Sequence, residues 1–182
     1  MQAIRRSLVT GRQNPCIHNA IRCSSASAAS ALRKKVESIL DTLSLKPGGI
    51  LVQNDGDSDI GKLIIELAKE RKYQTLSIVA DKPECPEIIE ELKALGADIV
   101  VPESYTKTWY MKRLVRELSP PAGLNLREDS QATAVARAVA NSGVFLTFGK
   151  KLPKYVDYGG AVRKPVEWTA FLKHKNLKVH YL

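Results

Sequence analysis

Cysteine is scarce in this chain, with only Cys16, Cys23 and Cys85 among 182 residues. That excludes a disulfide framework and a cysteine-built metal cluster. Histidine is equally sparse, and His18, His174 and His180 have no ligand-like spacing, so no metal site is expected. No run approaches the roughly 18 to 20 apolar residues that carry a helix across a bilayer. Aromatic residues are 6% of the chain, and they form no stacking RNA-binding box. Acidic residues are missing altogether from the first 30 positions, which hold Arg5, Arg6, Arg12 and Arg22.

What is present at that end is MQAIRRSLVTGRQNPCIHNAIRCSSASAAS, with Ile4, Leu8 and Val9 set among the arginines. An arginine- and serine-rich amphipathic opening without acid has the composition of a mitochondrial transit peptide. Residues 1–30 are therefore expected to form a matrix-targeting leader, with the bond after Cys23 as a candidate processing point. A disordered basic arm that binds an acidic partner is the alternative. The formal charge of +9 sits at the two ends, since residues 31–143 carry 16 basic and 17 acidic side chains and residues 144–182 carry 8 and 2. Outside the leader only Cys85 remains, read as an inert thiol.

From residue 31 helical and strand patterns alternate. Leu32, Val36, Ile39, Leu40 and Leu43 recur at helical spacing until Pro47-Gly48-Gly49 ends the run. Strands are expected at 50–53, 75–80, 98–101, 123–126, 144–148 and 177–182. Helices are expected at 60–72, 86–95, 108–118, 130–141 and 165–174, with a loop before Lys164. Short apolar strands alternating with helices imply a parallel sheet covered on both faces, and right-handed crossovers make it a doubly wound, Rossmann-type α/β domain over residues 31–182. No internal repeat is visible.

The segments SLKPGGILVQN, TLSIVADKP, ELKALGADIVV, AGLNL, SGVFLTFG, YGG, KPV and LKHKNLKVHYL occur in an order that resembles the nucleotide-binding domain of mitochondrial 2-enoyl thioester reductases, within the medium-chain dehydrogenase/reductase superfamily. The resemblance covers about residues 44–182. It implies an NADPH site in the loop after the first strand, with Asn54, Gly56, Ser58, Asp59 and Gly61 along it and Lys82 toward the ribose phosphate. It also implies a catalytic domain carrying a tyrosine, for which no counterpart is found here, so no catalytic residue is assigned. The last strand, Leu177–Leu182, is implied to be a sheet edge where subunits pair.

The loop departs from the family pattern in its charge. Asp55, Asp57 and Asp59 stand where a pyrophosphate would approach, and Asp59 replaces a usual glycine. One like-charge pair at 4 Å costs about 1 kcal/mol in water and about 4 at an effective dielectric of 20. The same acids suit a helix N-terminus, where they cap amides and oppose the dipole. After the second strand Lys82 is kept, but Ala80 stands where an arginine is usual, and a single lysine grips phosphate less firmly than an arginine fork. Arg127, Glu128 and Asp129 crowd the loop after the fourth strand. These residues are read as a degenerate site that binds no cofactor, NADPH being the alternative.

Three functions follow as expectations. The first is a catalytically silent structural subunit of a large mitochondrial assembly, such as the mitoribosome, a respiratory-chain complex or ATP synthase. The alternative is an NADPH-dependent trans-2-enoyl thioester reductase of mitochondrial fatty-acid synthesis, fragmentary or completed by another chain. The third is rRNA binding through the basic residues 144–182, among them Lys150, Lys151, Lys154, Arg163 and Lys164. Protein partners, including a second copy, are expected at the edge strand.

Overall fold

The computed structural model describes residues 15–127, 131–148, 152–156 and 165–182, with side chains described from residue 28 onward except that of Gln131. The chain divides into residues 1–35 and 36–182. In the first unit every described residue is helical, belonging to α1 (Pro15–Leu43). Much of the expected leader, residues 1–14, lies outside the described residues.

The second unit follows the alternation read from the sequence. β1 (Ile50–Asn54), α2 (Asp59–Glu70), β2 (Gln74–Val79), α3 (Cys85–Leu95) and β3 (Ile99–Pro102) come first. A 3-10 turn (Glu103–Lys107), α4 (Trp109–Leu118), β4 (Ala122–Asn125), α5 (Gln131–Ala138) and β5 (Val144–Thr147) follow. The segment expected to be loop contains β6 (Tyr155–Val156), which pairs antiparallel with β7 (Val166–Glu167) at the start of the stretch expected to be helix, so that α6 (Trp168–Lys175) begins later than predicted and β8 (Lys178–Tyr181) follows. Helix α5 is shorter than its apolar pattern predicts.

Six strands form one sheet in the order β3-β2-β1-β4-β5-β8, every pairing parallel. This is the doubly wound order, in which the direction of progression reverses between β1 and β4. Its buried strands are apolar because helices cover both faces. On one face Leu51, Leu124 and Leu146 pack with Ile39, Leu40, Ile64 and Leu67. On the other Val52, Ile78 and Phe145 pack with Met111, Val135, Trp168 and Phe171. Helix α3 ends at Gly96, whose φ of 115° places it in the left-handed region that favours glycine. Cys85 opens α3 half-buried, and burial pushes its thiol upward, ahead of the smaller effect of nearby acids. That keeps it protonated and unreactive.

Candidate functional site

The reversal of strand order opens a crevice beyond the carboxyl ends of β1 and β4, where ligands of such sheets bind. The loop Asp55–Ser58 lies there. Asp55 takes φ of 54°, and its carbonyl accepts from the Ser58 amide at 3.0 Å and the Ser58 hydroxyl at 2.8 Å. The Ser58 hydroxyl in turn accepts from the Gly61 amide at 3.1 Å. The helix cap is therefore Ser58, and not the three aspartates expected to share that role. Serine is the better placed group because it immediately precedes the first helical residue. Asp59 is exposed in the first turn, where it opposes the helix dipole.

Gly56 and Gly61 serve packing. A Cβ on Gly56 would lie 3.1 Å from the Ser77 Cβ, and one on Gly61 would lie 2.4 Å from the Asp55 carbonyl oxygen. The missing side chains let the loop lie flat against α2 and β2.

Asp55 and Asp57 meet cations. Lys82, just after β2, reaches the Asp57 Oδ2 at 2.9 Å, and Arg127, just after β4, reaches the Asp55 Oδ1 at 3.2 Å. The hydrogen bond to Asp57 raises the Lys82 amine above its ordinary value, its charge adds to that, and Arg127 opposes it. These four residues thus share one field at the mouth of the crevice. The Asp57 side chain is 15% exposed, and its Oδ1 is buried without a hydrogen-bond partner. Lys62, on α2, is held by Glu91 at 2.6 Å. Glu128 and Asp129, expected to narrow the site, lie outside the described residues.

Asn54, expected at the cofactor, is spent elsewhere. Its Nδ2 donates to the Asn125 Oδ1 at 2.6 Å and its Oδ1 accepts from the Leu126 amide at 2.7 Å. Asn125 passes the chain on, its Nδ2 donating to the Thr147 Oγ1 at 2.9 Å. All three residues are buried. This ladder ties β1, β4 and β5 together at their carboxyl ends and sets the position of the loop carrying Arg127. The sequence signal for it is a polar residue closing each of three mostly apolar strands, in LVQN, AGLN and VFLT. Sequence reasoning took Asn54 alone and missed Asn125 and Thr147.

No family model matches the chain. Over 141 residues it is 33% identical to mitochondrial enoyl-[acyl-carrier-protein] reductase of Dictyostelium discoideum, covering 76% of this chain and 37% of the relative. The Homo sapiens enzyme of that name is 28% identical over 143 residues, 78% of this chain and 36% of its own. The mitochondrial 2-enoyl thioester reductase Etr1p/Etr2p heterodimer from Candida tropicalis superposes with a TM-score of 0.61 at 25% identity, covering 76% of this chain and 37% of the solved one. Over the matched residues the chain is similar to the mitochondrial enoyl thioester reductases. It spans little more than a third of the length of the relatives it matches.

The expectation of no cofactor is overturned. Etr1p, as similar as the heterodimer, is solved as a complex with NADP and crotonyl-CoA. The physical fault in that expectation was to treat the loop acids as uncompensated. Two of the three face a base that folding brings from another strand end. The expectation of a silent subunit rested in part on the same acids and loses that ground.

Proposed function

We propose that this chain is the NADPH-holding domain of a mitochondrial 2-enoyl thioester reductase. The observation that carries the reading is the convergence of Lys82 and Arg127 on the loop at the strand-order reversal. The residues present fit the cofactor. Lys82 would hold the ribose phosphate, and Arg127 and the first amides of α2 would face the pyrophosphate. Bound there, NADPH would be the source of the hydride for enoyl reduction. No described residue of this chain is assigned the matching proton donor. Asp55 and Asp57 act as internal placeholders that hold the two cations in position and compete with phosphate for them.

NADPH titration of the protein by calorimetry tests this. Saturable binding is expected in the micromolar range. Lys82→Ala should weaken NADPH about tenfold and leave NADH nearly unchanged, because only NADPH carries the ribose phosphate. Asp57→Asn should tighten NADPH by about tenfold, the scale of one charge interaction at a partly exposed site. Absence of saturation at millimolar NADPH would sink the proposal.

We assign residues 1–30 to targeting and the mature protein to the mitochondrial matrix. The acid-free composition supports this, as do the mitochondrial relatives. A reporter fused to residues 1–40 should enter the matrix, and its retention in the cytosol would refute the assignment.

We place subunit pairing at β8. Among the described residues it has β5 on one side and no strand on the other. Lys178 and Leu182 donate backbone hydrogen bonds to Gly143 and Thr147. Strand alternation therefore turns the N–H groups of Val179 and Tyr181 toward the open edge. Val179→Pro removes an edge donor without breaking the bonds to β5, so self-association measured by sedimentation should weaken while the fold persists. Unchanged association would move the contact elsewhere.

A further inference from the structure

The end of β2 carries an acid beside its base. In dinucleotide-binding sheets an acid about 20 residues beyond the glycine loop accepts a hydrogen bond from the ribose 2′-hydroxyl of NAD, and a base serves where the ribose carries a phosphate. Asp81 stands 20 residues beyond Gly61 and directly before Lys82. Both kinds of side chain are therefore present at one strand end, and where each is held decides which ribose can be read.

The fold draws them apart. Strand β2 lies between β1 and β3, and the base leans to one neighbour while the acid leans to the other. Lys82 reaches the Asp57 Oδ2 in the loop after β1 at 2.9 Å. Asp81 reaches the 3-10 turn after β3, where its Oδ1 accepts from the Ser104 hydroxyl at 2.7 Å and its Oδ2 from the Ser104 amide at 2.9 Å. Two donors of one residue thus hold both carboxylate oxygens and fix the orientation of the group. Hydrogen bonds to an ionised acceptor are the stronger kind. Asp81 and Ser104 are both exposed, so the clamp bears on what arrives from solvent rather than on the core.

We infer that the Ser104–Asp81 clamp sets a preference for NADPH over NADH, by keeping the Asp81 carboxylate off the ribose that Lys82 faces. The inference rests on the cofactor reading proposed above. Consecutive Cα atoms are about 3.8 Å apart, so a released Asp81 carboxylate stands beside the phosphate that Lys82 holds. There it repels a 2′-phosphate and accepts from a 2′-hydroxyl. Ser104 is a positioning residue, acting through Asp81 rather than on the cofactor.

Calorimetric titration with adenosine 2′,5′-bisphosphate and with AMP, and then with NADPH and NADH, tests the clamp. The first pair isolates the ribose substituent from the nicotinamide half. The parent should bind the bisphosphate more tightly than AMP. Ser104→Ala removes the hydroxyl donor at an exposed position, and should weaken the bisphosphate and NADPH about tenfold, the scale of one like-charge contact in solvent. AMP and NADH should tighten about threefold, the scale of one exposed hydrogen bond. Combining Ser104→Ala with Asp81→Asn should restore the parent's preference, because no charge is left to swing. A clamp that only tied the turn would lower the melting temperature and weaken all the ligands alike, and that result would overturn the inference. A double variant that stays unselective would overturn it as well. NADPH that fails to saturate the parent sinks the cofactor reading and the clamp together, whereas an unchanged ratio in a Ser104→Ala protein that binds NADPH sinks the clamp alone.

Discussion

Gly61→Ala is expected to destabilise the protein by about 3 kcal/mol, at the upper end of the cost of overpacking a well-fitted site. The added Cβ would lie 2.4 Å from the Asp55 carbonyl oxygen and 2.7 Å from the Gly56 Cα. Both neighbours are backbone, so no flexible side chain can yield. The loop must lift from α2, and with it go the hydrogen bonds from Ser58 to the Asp55 carbonyl. For a domain of this size each kcal/mol moves the melting temperature by about 3 °C, so thermal denaturation should shift down by about 9 °C. Ser58→Ala, which removes only the cap, should cost about 1 kcal/mol. NADPH affinity should fall further in Gly61→Ala than in Ser58→Ala, because the first variant also displaces Asp55 and Asp57 with their cations. A Gly61→Ala protein that melts within about 2 °C of the parent would show that helix and strand do not approach this closely.

Asn54→Leu should cost about 2 to 3 kcal/mol, although the two side chains have similar size. The substitution leaves the Asn125 Oδ1 and the Leu126 amide without the partners that now lie at 2.6 and 2.7 Å. A buried polar group left unpaired costs about 1 to 3 kcal/mol, and two are stranded here. Asn125→Leu strands the Asn54 Nδ2 in the same way. The double variant should be less destabilised than the sum of the single ones, with a coupling of about 1 kcal/mol or more. Chemical denaturation of the four proteins measures this directly. Strict additivity would mean that the two amides do not interact. NADPH binding should weaken in either single variant, since the ladder positions the start of the loop that carries Arg127.

The order of elements was legible because it depends on local pattern. Ile50 to Gln53 could be read as a buried strand from its apolar run, and Leu63, Ile64, Leu67 and Ala68 as a helix face from their spacing. Parallel pairing followed from alternation, and the observed order β3-β2-β1-β4-β5-β8 agrees with it. The β6–β7 hairpin was missed because two residues per strand are too few to show a period.

Charge in the loop after β1 was misjudged for a different reason. The sequence shows Asp55, Asp57 and Asp59 as neighbours, and a count of neighbours makes a repulsive cluster. Lys82 is 25 residues from Asp57, and Arg127 is 72 from Asp55. Only the parallel sheet, which lines up the ends of β1, β2 and β4, brings them within ion-pair distance. Asn54 and Asn125 are 71 apart and meet for the same reason. The sequence by itself determined the strand and helix alternation, the acid-free composition of the first 30 residues and the family likeness, because each is carried by residue type and short spacing. The tertiary structure alone decided which charges compensate and which amides are consumed inside the sheet, because Coulomb and hydrogen-bond energies depend on distances in space that separation along the chain does not encode.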